Sequence, residues 1–264
     1  MEKIDADKLQ EGLNTENFGK KIVFLHEAIS TNDFAKKLAN YGADEGTVIF
    51  AEEQSAGKGR LGRTWISPRG GLYFSIILKP KIRVSDAVKL VFVASLAVAE
   101  TIRDLYGLNT ETKWPNDVLV DGKKVCGILA ETSSIGERLK FVVLGIGINA
   151  NFNVREKFPK KLQKTATSLQ EVLDRKVDGE KLLKKLLEKL ENFYACFLQS
   201  GFVQILEEWK ELASFLGRQV VVLSGNRKWT GTALNVEKDG SLILKLEDGT
   251  VKRFLSGDVT LRVE

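Results

Sequence analysis

Phe141-Val-Val-Leu-Gly-Ile-Gly-Ile-Asn149 carries apolar residues at consecutive positions, without polar alternation. A strand of that kind is buried on both faces, so it belongs at the centre of a sheet covered on two sides. Gly145 and Gly147 stand two apart and therefore share one face, which is bare of side chains there. Two readings of that face are open: close approach of a ligand or another backbone, or packing of the long helix expected at 85–105 against the sheet. The polar run Asn149-Ala-Asn151, with Asn153, leads out of the sheet.

Working outward, Val118-Leu-Val120, Asp121-Gly122 and Lys123-Lys-Val-Cys-Gly-Ile-Leu-Ala130 read as a hairpin with a primed two-residue turn. Lys124 shares a strand face with Cys126, Ile128 and Ala130, yet alternation alone does not separate Lys123 from Lys124 as the one directed into a pocket. Before the hairpin comes Lys113-Trp-Pro-Asn-Asp117. Pro115 fixes its backbone, and Asn116 and Asp117 present short polar side chains at the start of a strand. Ser85–Leu105 has Val88, Val91, Phe92, Leu96, Ala99 and Ile102 at helical spacing, which predicts one long buried helix. Further strands are expected at Lys21–His26, Gly46–Ala51 and Gly70–Leu78. Ser30-Thr31-Asn32-Asp33 suits the capped start of a helix running to about Ala39.

Gln54-Ser-Ala-Gly-Lys-Gly-Arg-Leu-Gly-Arg-Thr-Trp65 alternates Gly57, Gly59 and Gly62 with Lys58, Arg60 and Arg63. Glycines let backbone N–H groups approach a ligand, and arginine presents a fork of donors to carboxylate or phosphate oxygens. Such a loop is expected to be loose by itself and ordered by anions; a flexible basic turn is the plainer explanation. It is no Walker A loop, because Gly59 follows the Gly-Lys pair where Ser or Thr is required.

Helices are expected at Thr167–Leu173, Gly179–Leu198 and Phe202–Leu212. Past Gly217 the rhythm changes to short strands and turns: Gln219–Leu223, Lys228–Val236, Ser241–Leu246, Val251–Leu255 and Val259–Val263, the pattern of an SH3-like barrel. The expected fold class is α+β, a mixed β-sheet with helices followed by that small barrel. The expected division is an N-terminal extension (1–19), a large α+β domain (20–216) and the barrel domain (217–264).

The chain has 264 residues, 43% hydrophobic and 28% charged, with a net charge of +5. That balance favours anionic ligands slightly and is weak support for nucleic acid. Two cysteines, Cys126 and Cys196, exclude a disulfide framework and fit a reducing cytoplasm, and a charged N-terminus offers no signal-peptide core. With one histidine, His26 in a strand, a multi-histidine metal site is impossible.

The glycine–cation loop, Lys113–Asp117, Lys123–Ile128 and Gly145–Asn149 stand in the order and spacing of the biotin protein ligases. The chain resembles that family from about Lys20 onward. It departs from the usual loop in having Lys58 and Leu61 where arginines are customary. Residues 1–19 cannot hold a winged helix-turn-helix, so the resemblance is to the ligase-only class, with no repressor function expected.

This resemblance implies that biotin is activated with MgATP to biotinyl-5'-AMP and passed to a lysine of a biotin carboxyl carrier protein. It implies Ser30, Thr31, Asn32, Gln54, Gly57, Lys58, Arg60, Lys124, Gly127, Gly145 and Gly147 around biotin. It implies Lys58, Arg60, Arg63, Trp65, Asn116, Lys124 and Asn149 around the nucleotide. Arg60, Lys124 and Asp117 would be catalytic, with Asp117 also near the Mg2+–phosphate region. A homodimer, no membrane and no nucleic-acid partner are expected. A lipoate–protein ligase, a nucleic-acid-binding regulator and a non-catalytic biotin-binding protein are the rival readings.

Overall fold

The computed structural model describes residues 6–261. Its strands are β1 (Ile22–Ala28), β2 (Val48–Gln54), β3 (Leu72–Leu78), β4 (Thr110–Lys113), β5 (Asp117–Val120), β6 (Lys123–Ile135) and β7 (Arg138–Ile148), then β8 (Gln219–Ser224), β9 (Arg227–Val236), β10 (Leu242–Leu246), β11 (Val251–Phe254) and β12 (Asp258–Leu261). Its helices are α1 (Ala6–Glu11), α2 (Thr31–Asn40), α3 (Leu90–Tyr106), α4 (Val154–Lys157), α5 (Lys160–Gln163), α6 (Leu169–Leu173), α7 (Gly179–Ser200) and α8 (Phe202–Glu211). None of them is long and apolar enough to cross a membrane.

The large sheet has seven strands in the order β1-β2-β3-β7-β6-β5-β4, mixed because β1 and β2 are parallel and the other pairs antiparallel. β7 is the middle strand, as its unbroken apolar run requires. Alternate side chains divide its two faces. Val142, Leu144, Ile146 and Ile148 enter the main core with α3 and α7, whereas Phe141 and Val143 pack with Ala35 and Ala39 of α2. Gly145 and Gly147 continue the α2 face. The bare patch is therefore not a seat for α3; Asn32 of α2 and Trp65 approach it, and a cavity opens beside them.

Several expectations need correction. The segment Ser85–Leu105 is not one helix: Val84–Lys89 is a 3-10 turn, and α3 begins at Leu90. Val88 lies in that turn and is exposed, so it does not share the buried face of Val91 and Phe92. Ser30 occupies the N-cap of α2 with extended backbone but makes no side-chain cap bond. The C-terminal strands form a five-stranded antiparallel sheet, β11-β10-β9-β8-β12, with no pairing that closes a barrel among the described residues. The Asp121-Gly122 turn has both residues at positive φ, 50° and 71°, as a primed hairpin demands.

The segment before β1 is anchored by its apolar residues. Leu9, Leu13 and Phe18 are buried in the main core, and the Glu191 carboxylate of α7 accepts from the backbone N–H groups of Glu16, Asn17 and Phe18. The small sheet shares the same core: Val220, Val222, Ala233 and Leu244 belong to the cluster that holds α3. Trp114, fully buried, donates its indole N–H to the Gly240 carbonyl at 2.9 Å, and the indole of Trp209 on α8 lies edge-on to Phe92.

Candidate active site

The cavity over the β7 glycines measures about 410 Å³ and is lined from α2, the 58–66 loop, β5, β6, β7, the 158–166 segment and the small sheet. Its floor is made by glycine. Gly127 on β6 lies opposite Gly147 on β7. A Cβ at Gly147 would stand 2.3 Å from Trp65 Nε1, and one at Gly127 would stand 2.9 Å from Trp65 Cζ3. A Cβ at Gly145 would stand 2.1 Å from Asn32 Oδ1. Only glycine lets an indole and an amide lie this close to a sheet.

The inner wall is polar and immobilised by its own bonds. Thr31 donates its backbone N–H and its hydroxyl to Gln54 Oε1, at 2.8 and 3.1 Å, and Gln54 Nε2 donates to the Ser67 hydroxyl at 2.8 Å. Asn32 Nδ2 donates to Glu131 Oε2 at 2.8 Å, which leaves Asn32 Oδ1 to face the Ser75 hydroxyl at 2.6 Å. Thr31, Asn32 and Ser30 are all buried. Such a wall fixes the orientation of a small polar ring by shape and by donor–acceptor pattern.

The outer rim carries the charge. Lys58 donates to Asp33 Oδ1 at 2.6 Å, and that bond holds its ammonium above the usual lysine range. Lys124 lies 2.6 Å from Asp117 Oδ1, with Lys113 at 3.8 Å from the other oxygen, and stands 5.0 Å above the Trp65 ring. Lys124 lines the cavity and Lys123 is exposed, which decides between them. Lys124 does not share the face of Cys126, Ile128 and Ala130, which enter or pack against the main core, because the β5–β6 register shifts between Val118 and Leu119 and puts Val125 in that core as well. Arg60 donates to Asn116 Oδ1 at 3.2 Å and to the Gly257 carbonyl at 3.1 Å. Burial lowers its guanidinium below the ordinary value, although at such a high starting point it stays charged. Arg63 pairs with Asp258.

The 57–65 loop is itself a closed hairpin. Gly59 N–H donates to the Arg63 carbonyl at 2.7 Å and Trp65 N–H to the Gly57 carbonyl at 2.8 Å. Every residue expected at the site lines the cavity except Gly57, which lies behind it: a Cβ there would stand 2.4 Å from the Trp65 carbonyl. Sequence reasoning missed Ser67, Ser75 and Glu131, which hold the inner wall. It also missed Asp258, Val259 and Thr260, which the small sheet contributes to the lining. Turn and strand patterns carry no sign of such contacts between distant segments.

Buried polar atoms without a hydrogen-bond partner concentrate here. Of the five among the described residues, Trp65 Nε1, Asn149 Oδ1, Asp117 Oδ1 and Asp258 Oδ2 belong to cavity-lining residues; the two carboxylate oxygens have only the ion-pair partners named above. Native interiors leave few such atoms, and four of these five belong to residues that line one cavity. A glycine floor, a fixed polar wall and a cationic rim define a small-molecule site for a ligand with an apolar body and an anionic end.

Comparison with known proteins agrees. Residues 27–149 match the model of the biotin/lipoate A/B protein ligase family, and residues 215–262 match that of the biotin protein ligase C-terminal domain. The chain is 35% identical over 260 residues to the bifunctional ligase/repressor BirA of Bacillus subtilis, covering 98% of this chain and 79% of that one. It is 33% identical to the biotin–[acetyl-CoA-carboxylase] ligase of Paracoccus denitrificans, over 82% of this chain and 90% of the other. A biotin protein ligase from Aquifex aeolicus, solved with biotin and ATP, superposes with a TM-score of 0.78 at 31% identity, over 93% of this chain and all of that one. The chain belongs to the biotin protein ligase family.

Proposed function

We propose that the protein activates biotin with ATP to biotinyl-5'-AMP and transfers the biotinyl group to a lysine of a carrier protein. The observation that carries this reading is the convergence of Lys58, Arg60, Arg63 and Lys124 on the mouth of a glycine-floored slot with a fixed polar inner wall. The slot suits the ureido ring and its apolar chain, with the carboxylate emerging at the rim. The relatives' names supply the acid and the nucleotide, and the match at 215–262 favours biotin over lipoate.

In the first step a biotin carboxylate oxygen attacks the α-phosphorus of ATP. A new O–P bond forms, the α–β bridging P–O bond breaks, and pyrophosphate leaves. Both reactants are anions, so repulsion dominates the barrier, and fixed cations lower it. We assign Lys124 and Arg60 to the α-phosphate, with Lys58, Arg63, Asn116, Asn149 and the Trp65 indole along the rest of the nucleotide. In the second step the carrier amine attacks the acyl carbon; a C–N bond forms, the C–O bond to AMP breaks, and the nitrogen loses a proton. A free lysine, with a pKa of about 10.4, is a poor nucleophile near neutrality. Asp117, with Lys124 beside it, is positioned to take that proton.

Magnesium, when bound, neutralises triphosphate charge. Among the described residues no three His, Cys, Asp or Glu side chains converge, and Asp117 and Asp258 each face a cation. This donor set fits an ion carried by the triphosphate, touched by Asp117, and not one caged by protein. The reading takes 20–216 as the catalytic unit and 217–264 as the C-terminal one. It includes a homodimer through the unpaired edge of β1, to be checked by sedimentation.

The deciding experiment is pyrophosphate release from MgATP with biotin or lipoate as the acid. Release with biotin alone is expected. Release with lipoate alone would move the protein to the lipoate branch, and release with neither would end the ligase reading.

A further inference from the structure

Asp258 begins β12, antiparallel to β8 with Leu223 opposite, far in sequence from the loop it meets. Its carboxylate pairs with Arg63 and lies 3.8 Å from Arg60 Nη1, while the preceding carbonyl, that of Gly257, accepts from Arg60 at 3.1 Å. Two successive groups of the small sheet thus grip two loop arginines. Gly257 lets the chain enter β12 close against β8: its φ is 154°, and a Cβ there would stand 2.7 Å from the Leu223 carbonyl. The loop turns through Leu61, which adopts a left-handed conformation (φ 55°) with its side chain exposed. A non-glycine residue does not favour that shape by itself, so contacts elsewhere must hold it.

Asp258 and Gly257 are partners of the loop from the small sheet, whereas Lys58 pairs with Asp33 of α2 and Lys124 with Asp117 of β5. We infer that Asp258 is a positioning residue for adenylation and retention: it clasps the 57–63 loop to the C-terminal sheet, keeps Arg60 and Arg63 over the cavity, and so slows escape of the adenylate. The clasp would make the C-terminal sheet a working part of the lid. The retention half of this inference rests on the ligase reading above; the clasp itself does not.

The test therefore has two arms. With no ligand added, subtilisin nicking between residues 57 and 65 is followed by mass spectrometry for the wild type, Asp258→Asn, Arg63→Gln, the double variant and Asp258→Glu. Loss of a charge-assisted bond predicts nicking roughly tenfold faster in each single neutral variant. The double variant should be no faster than the faster single one, and Asp258→Glu should restore slow nicking. Dissociation of preformed biotinyl-AMP should accelerate by a similar factor in the same variants. Wild-type nicking in Asp258→Asn, or effects that multiply in the double variant, would overturn the clasp. If Asp258→Asn is cut throughout the chain, Arg63→Gln, whose side chain is mostly exposed, decides alone. Faster nicking with unchanged adenylate release would overturn the retention role. Wild-type protein that forms no pyrophosphate would instead fail the ligase reading while leaving the nicking result to stand.

Discussion

The floor and the rim of the cavity are built on opposite principles. At the floor, Gly127, Gly145 and Gly147 leave no room for a single methyl group, because Trp65 and Asn32 already fill the space. At the rim, Lys58 and Lys124 each face a carboxylate: Asp33 and Asp117. The floor is a shape, set by folding and indifferent to pH or salt. The rim is a set of exchangeable ion pairs, partly exposed, in which an incoming phosphate can take the carboxylate's place. On the proposed ligase reading, recognition of the acid would rest on rigid sterics, and chemistry on charges that can be repartnered.

The largest effect should come from the rim. Lys124→Gln is expected to lower single-turnover pyrophosphate release about 10²- to 10³-fold, equivalent to roughly 3–4 kcal/mol of barrier. Biotin binding by calorimetry should change far less. A loss below tenfold would reduce the rim to ordinary solvated lysines. Next, Gly147→Ala forces the Trp65 ring to move and should weaken biotin binding by about 1–3 kcal/mol, the usual cost of overpacking. Gly145→Ala should act likewise through Asn32, and an unchanged affinity in both would dissolve the contrast. Asp117→Asn separates the two halves of the reaction: transfer from preformed biotinyl-AMP should slow about 10²-fold or more. Normal transfer with poor adenylation would remove the base role.

The smallest effect is expected at Asp33→Asn, less than about twofold in kcat/KM for MgATP, because the Lys58–Asp33 pair is half exposed and worth little. The pH dependence has a definite sign. The bond to Asp33 raises the Lys58 pKa, so the pair's contribution is complete below the ordinary lysine value of about 10.4 and is lost as pH climbs through the raised one. Between pH 7 and 9 the charge on Lys58 should stay constant. Any fall of activity in that window that Asp33→Asn shifts would contradict this.

Much of the frame was legible in the chain itself. The unbroken apolar run of β7 announced a central strand, Asp121-Gly122 announced a hairpin, and the glycine–cation loop stands at the cavity. These signals are local, written in spacing and backbone chemistry. Lys124 over Lys123 was not legible from alternation and needed the register against β5. Val88 was misplaced because helical spacing was carried one turn too far, across the 3-10 start. Asp258 was invisible for a different reason: its partners lie in another sheet, and an aspartate opening a short strand after Gly257 reads as an ordinary turn. Ser67, Ser75 and Glu131 were missed likewise, since a hydroxyl or carboxylate that holds another side chain leaves no periodic trace.

Trp114 directly follows β4, yet its indole N–H donates to the Gly240 carbonyl, in the turn between β9 and β10. Around it, apolar side chains of both sheets form one continuous cluster. Heat or denaturant should therefore melt the two sheets together, in a single cooperative step. A chain cut before Gly217 would strand a buried donor and strip the core beneath the pocket, so the small sheet is not a removable appendage. Pieces that look separable in sequence here share one folding free energy.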